Sequence, residues 1–111
     1  MLEALWSIEF RSSTGAQGAG IVVLETGRVL GGDSWFTIIG EYRSPQAGQV
    51  EASVQVKRYK PGSAMIFGNF NQVDLKLSGK AERESIALHG YVVGNPQLQV
   101  EVRLARREEL P

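Results

Sequence analysis

The chain contains no cysteine, a single histidine and no excess of either charge, since twelve basic residues balance twelve acidic ones. Without cysteine, disulfide bonds and thiolate metal sites are excluded, and one histidine cannot build a histidine-rich metal site. A protein with no net charge also lacks the long-range field that steers proteins to nucleic acid or to anionic membranes. We therefore expect no metal, no cofactor, no direct nucleic-acid binding and no membrane association.

Long apolar runs are missing as well. No segment sustains the ~20 apolar residues that a membrane-spanning helix requires, and residues 1–6 lack the basic region of a secretory signal. These absences predict a cytoplasmic protein. The length of 111 residues predicts one domain over 1–111, large enough to bury a core of its own.

What the sequence does contain is a period of two. Short runs of alternating apolar and polar residues are separated by turns with glycine, which is typical of antiparallel sheets. The clearest alternation lies at 50–57, where valine and alanine alternate with polar residues. The alternation predicts eight strands, near residues 6–11, 19–25, 28–32, 35–43, 50–57, 73–77, 86–92 and 98–104.

The short connections favour antiparallel neighbours, and closing the strands into a barrel removes the two unpaired edges of an open sheet. We therefore predict an all-β fold, an eight-stranded up-and-down antiparallel barrel of the lipocalin-like kind. Such a barrel can be filled by side chains or can hold one small ligand, and the sequence leaves both open. The residues predicted to face the interior are Trp6, Ile8, Phe10, Phe36, Val54, Val56, Leu88 and Val100.

The alternation of apolar and polar residues ends after Pro61. The spacing of Met65, Ile66, Phe67 and Phe70 fits one helical turn better than a strand, so we predict one short helix here.

Segments 21–24 and 36–39 are apolar on both faces of their strands. Part of this surface would be exposed unless the short helix or a second subunit covers it; alternatively, the same chain packs on both sides of these strands. We expect a homodimer. The candidate interface residues are Val22, Leu24, Ile38, Ile66 and Phe67.

No pattern in the sequence is specific for catalysis. Asp33 follows two glycines and is expected to cap local backbone, while Asp74 alternates with core residues on the solvent side of another strand. His89 is expected on the surface, and no nucleophile elbow accompanies it. The residues 57–60 are basic with one tyrosine, but strand alternation divides them between two faces, which predicts a solvated strand end. We therefore expect a protein that is not an enzyme.

Several segments, in order and nearly in spacing, resemble the GrlR-like family of negative regulators of type III secretion genes. The matching segments are 5–10, 18–23 and 27–33, followed by Gly40, Arg58-Tyr59, Leu88-His89, Gly94-Asn95, Leu98 and Val100-Glu101-Val102. The resemblance implies an eight-stranded barrel with a short helix, a dimer and an apolar interior. It also implies a regulator that sequesters a transcriptional activator without touching DNA.

In enterobacterial members of that family, the loop between the fourth and fifth strands carries alternating carboxylates linked to partner recognition. The corresponding residues 44–49 of this chain contain none. The candidate partner-binding residues here are Arg43, Ser44, Gln46 and Gln49. The alternative function is that of a carrier for a small apolar ligand, which predicts an internal cavity of ~300 Å³ or more.

Overall fold

A computed structural model describes residues 2–111, which form eight antiparallel strands in one closed barrel. Each strand pairs with the next one in the chain, and the last strand pairs with the first. The strands are β1 (Ala4–Ser12), β2 (Gln17–Glu25), β3 (Arg28–Gly32), β4 (Phe36–Arg43), β5 (Gln49–Arg58), β6 (Gln72–Ala81), β7 (Ser85–Val92) and β8 (Asn95–Glu108). The predicted closed up-and-down barrel is confirmed; Met1, which the predicted domain includes, lies outside the described residues.

The inward-facing side chains are apolar because each strand alternates its side chains between the two faces of the sheet. In β5, for example, Val50, Ala52 and Val54 are buried while Ser53 is exposed. Of the residues predicted to face the interior, six are buried and two are half-buried against the same core. The buried ones are Trp6, Ile8, Phe36, Val54, Leu88 and Val100, and the half-buried ones are Phe10 and Val56.

Two glycines let β6 and β7 approach each other closely. A Cβ atom on Gly79 would collide with the carbonyl oxygen of Ala87, and one on Gly90 would collide with the carbonyl oxygen of Lys76. Glycine inside a strand is typical of bends where another backbone comes near. Such bends give the sheet the curvature that closure requires.

The predicted short helix is wrong. Residues 59–71, which connect β5 to β6, form turns and one isolated bridge between Met65 and Gly68. Gly62 and Gly68 have φ angles of +138° and +125°, outside the right-handed helical region, so the chain cannot follow a helical path here. Met65 and Phe67 are buried because the segment crosses an end of the barrel. No helix within 2–111 is long and apolar enough to cross a membrane.

The up-and-down topology sorts the connections between two ends. We call one end the loop end, which carries residues 13–16, 33–35, 59–71 and 93–94. The other, the terminal end, carries residues 2–3, 26–27, 44–48, 82–84 and 109–111.

Candidate functional site: a lidded apolar cavity

The barrel encloses a cavity of about 300 Å³. All eight strands contribute to its wall, and the wall is largely aliphatic. Among the residues that line it are Val22, Leu24, Val29, Ile38, Val54, Leu75, Leu88 and Val102. This volume lies at the lower end of the ~300–1,000 Å³ of small-molecule sites. It is about twice the ~150 Å³ cavity that holds benzene, so an apolar body of about a dozen non-hydrogen atoms would fill it.

The terminal end of the barrel is closed by Trp6 and Arg106. The Trp6 side chain is completely buried, and its indole Nε1 donates a hydrogen bond to the carbonyl oxygen of Leu2 at 2.9 Å. The Arg106 guanidinium carbon lies 4.8 Å from the centroid of the indole ring. Arg106 Nε also donates to the carbonyl oxygen of Arg83 at 2.8 Å, which ties the β6–β7 turn to this closure.

At the loop end, residues 59–71 lie across the barrel, and we call this segment the lid. Two hydroxyl groups hold the centre of the lid, one on the last residue of β1 and one in the turn that follows β1. The carbonyl oxygen of Ile66 accepts hydrogen bonds from Ser12 Oγ at 2.6 Å and from Thr14 Oγ1 at 2.8 Å. Ser12 is buried, so a hydrogen-bond partner for its hydroxyl offsets the cost of removing it from water.

Arg58 holds both ends of the lid. Its Nη1 donates to the carbonyl oxygen of Ser63 at 2.6 Å, its Nε to Asn71 Oδ1 at 3.1 Å, and its Nη2 to the carbonyl oxygen of Phe70 at 3.5 Å. The guanidinium carbon lies 4.8 Å from the ring centroid of Phe36. Sequence reasoning missed this role and placed Arg58 at a solvated strand end. The alternation of side chains along β5 could have indicated this role, because Arg58 lies an even number of positions from the inward-facing residues of that strand.

The opening of the cavity lies at the loop end. Gln17 and Ser34 line the cavity and are exposed, and the half-buried Asp33 and Trp35 lie beside them. Asp33 Oδ1 accepts the backbone N–H groups of Trp35 at 2.8 Å and Phe36 at 2.9 Å, which confirms that Asp33 caps local backbone. The hydroxyl of Tyr59 donates to the carbonyl oxygen of Asp33 at 2.8 Å and thereby joins the lid to the β3–β4 loop.

Tyr42 lines the cavity near the terminal end. Burial raises the pKa of this phenol; a backbone hydrogen bond with Gly27 opposes the rise and the charge of Glu3 adds to it. The raised pKa keeps the hydroxyl protonated and neutral across the physiological range.

The candidate dimer residues do not lie on the outer surface. Val22, Leu24 and Ile38 are buried and line the cavity, because the alternation of β2 and β4 turns them inward. Phe67 is buried in the lid, and Ile66 is half-buried there. The outward positions of β1–β4 instead carry an apolar patch. This outer patch consists of Leu5, Ile21, Val23, Leu30 and Ile39, of which Ile21 and Ile39 are 46% and 47% exposed.

The candidate partner-binding loop lies at the terminal end, away from the opening of the cavity. Arg43, Ser44, Gln46 and Gln49 are all exposed. Arg43 Nη2 forms an ion pair with Glu51 Oε1 at 2.7 Å. The Ser44 hydroxyl donates to the carbonyl oxygen of Gln49 at 2.6 Å and orders the loop.

His89 lies on the outer face of β7, opposite Ser78 on β6 and Glu101 on β8. Among the residues described, no hydrogen bond joins these three side chains. No cluster of three or more histidine, aspartate or glutamate residues that could hold a metal ion occurs between Leu2 and Pro111.

The fold and the site define a closed eight-stranded antiparallel barrel that encloses an apolar cavity beneath a hydrogen-bonded lid. No protein-family model matches the chain, and no curated protein matches its sequence.

Proposed function

We propose that the protein binds one small apolar molecule inside the barrel and is not an enzyme. The apolar cavity of about 300 Å³ under the lid carries this proposal. Its wall offers surface for burial but no paired acid and base, and the backbone groups of the strands are committed to the ladders. The ligand would enter at the loop end, past Gln17 and Ser34, which line the cavity and are exposed.

The size of the cavity sets the scale of the affinity. Burial of a methylene group contributes about 0.8 kcal/mol, so an eight-carbon chain would gain about 6 kcal/mol before the costs of association. Those costs are several kcal/mol, so the net binding free energy is only a few kcal/mol and the dissociation constant lies in the millimolar range. Calorimetry and chemical-shift titration both measure such affinities.

The test is a titration of the protein with 1-octanol. We expect one-to-one binding by the wild type and a loss of about tenfold or more in Val54→Phe, because Val54 lines the cavity and phenylalanine would occupy its volume. Ser53→Phe is the matched control, because Ser53 lies on the same strand but faces solvent. Equal binding by wild type and Val54→Phe would contradict an interior site.

A second proposal is favoured by the outer patch. A contiguous apolar surface on a sheet is typical of protein contacts. We propose that this face serves a homodimer or a protein partner, in a cytoplasmic regulator of the GrlR-like type that sequesters a transcriptional activator. Ile39→Lys should then abolish capture of the partner from the protein's own cells, whereas Ala87→Lys, at an exposed position of β7 outside the patch, should retain it. Changes at Arg43 or Gln46 should also abolish capture if the loop after β4 contributes.

A further inference from the structure

The groups at the opening of the cavity determine which head group a ligand can carry. This inference rests on the proposed ligand-binding function. Asp33 is the only charged residue that lines the cavity in the described part of the chain. Toward the terminal end the wall is apolar apart from Tyr42, so the polar end of an amphipathic ligand would lie at the opening, beside Asp33.

The charge of Asp33 is balanced by dipoles and not by a cation. Its Oδ1 accepts two backbone N–H groups, from Trp35 and Phe36. Within residues 2–111, no lysine or arginine forms an ion pair with this carboxylate. A ligand that brings a positive charge would therefore gain a partner here, while an anionic ligand would meet a like charge.

Two cations lie near the opening, but neither lines the cavity. Arg58 lies over the ring of Phe36 and uses its donors on the oxygen atoms of the lid. The ammonium of Lys60 lies 5.4 Å from the ring centroid of Trp35. Because Phe36 and Trp35 themselves line the cavity, a ligand would contact these rings and not the cations.

We propose that the ligand is a cationic amphiphile, with an apolar body in the cavity and a protonated amine beside Asp33. A neutral head group of the same shape would bind more weakly, and a carboxylate would bind most weakly. This ranking separates the site from one that selects fatty acids.

The experiment compares octylamine, 1-octanol and octanoate by isothermal titration calorimetry at about pH 7, where the amine is protonated and the carboxylate is ionised. These three probes share one alkyl chain and differ in the charge of the head group. We expect octylamine to bind about tenfold more tightly than 1-octanol, and octanoate to bind more weakly than either. Added salt should weaken octylamine binding and leave 1-octanol binding unchanged.

The matched variant is Asp33→Asn, which removes the charge and keeps an oxygen for the N–H groups of Trp35 and Phe36. We expect it to reduce octylamine binding to within about twofold of 1-octanol. The salt dependence of the wild type tests the same charge without any substitution.

The outcomes separate the two proposals. Failure of all three probes to bind the wild type would overturn the proposed function and this inference together. Binding of 1-octanol with no preference for octylamine, tightest binding of octanoate, or an unchanged ranking in a folded Asp33→Asn variant would overturn the ligand class alone.

Discussion

The guanidinium of Arg106 lies against the indole of Trp6, with 4.8 Å between the guanidinium carbon and the ring centroid. The two residues pair across β1 and β8, the strands whose contact closes the barrel. The Arg106 side chain is only 14% exposed. Because a desolvated cation over an aromatic ring is more strongly attracted than one in water, this contact strengthens the seam of the barrel.

We expect Arg106→Met to lower the free energy of unfolding by about 1–3 kcal/mol, since it removes the contact with Trp6 and the hydrogen bond to Arg83. Urea unfolding followed by tryptophan fluorescence measures the change. Arg103→Met is the control on the same strand, where the side chain is exposed, and it should change the value by less than about 0.5 kcal/mol. Equal effects of the two substitutions would show that the seam does not depend on Arg106.

We expect Arg58→Met to loosen the lid, because it leaves the carbonyl oxygens of Ser63 and Phe70 without their guanidinium donor. Hydrogen exchange followed by mass spectrometry should show amide exchange in residues 59–71 about tenfold faster than in the wild type, while the strands change less. Lys57→Met, on the exposed side of β5, should leave this exchange unchanged. Slow exchange retained in Arg58→Met would mean that the Ser12 and Thr14 hydroxyls suffice to hold the lid.

We expect Gly79→Ala to destabilise the protein by about 2 kcal/mol or more, because the added methyl group would collide with backbone atoms of β7 that cannot rotate away. Thermal and urea unfolding measure the loss. Ser78→Ala, at the exposed neighbouring position, should cost less than about 0.5 kcal/mol. A stable Gly79→Ala variant would mean that the bend between β6 and β7 can relax.

The raised pKa of the Tyr42 phenol predicts a loss of stability in alkali. Burial is its main cause, opposed by the Gly27 backbone and supplemented by the charge of Glu3. The unfolded chain releases this proton at its ordinary pKa of about 10, whereas the folded protein retains it to higher pH. Between these two values the unfolded state binds fewer protons, so stability falls as pH rises and levels off above the folded pKa.

Tyr42→Phe should remove this part of the alkaline decrease, since phenylalanine cannot ionise. The free energy of unfolding of both proteins, measured between about pH 8 and pH 11, gives the two slopes for comparison. The two proteins are otherwise identical in sequence, so the difference between their slopes isolates Tyr42. Parallel curves would show that Tyr42 ionises alike in the folded and unfolded states.

The outer patch predicts a dimer in solution. Light scattering at micromolar concentration should give twice the mass of one chain for the wild type and for Ala87→Lys, which lies outside the patch. Ile39→Lys should give the mass of one chain, because it places an ammonium group within the apolar surface, beside Leu30. A wild-type mass equal to that of one chain would contradict the proposed homodimer.

The strands were predictable because alternation is a local property that the barrel preserves. In β5, every apolar residue of 50–56 faces the interior, as its parity requires. The same alternation places the side chains of Val22, Leu24 and Ile38 inside the barrel. Their assignment to a dimer interface was wrong because it disregarded the alternation of their own strands. Apolar residues on both faces of these strands indicated that an apolar patch would be exposed. The alternation of side chains assigns Ile21 and Ile39 to that patch.

The lid was not predictable from spacing. Ile66, Phe67 and Phe70 carry apolar side chains at separations that suit a helix, but the glycines at 62 and 68 adopt φ angles that a helix excludes. A short segment of this kind takes the path that its contacts impose, and its main contacts come from Ser12, Thr14 and Arg58. None of these residues lies within the segment.

By itself, the sequence determined the number of strands, their order and the face each residue presents, because these follow from a two-residue repeat and short connections. The tertiary structure decided where the lid lies, how large the cavity is and which charges meet it. These depend on residues far apart in the chain, such as Ser12 with Ile66, 54 positions away. They also depend on the curvature of the closed sheet, which no local pattern specifies.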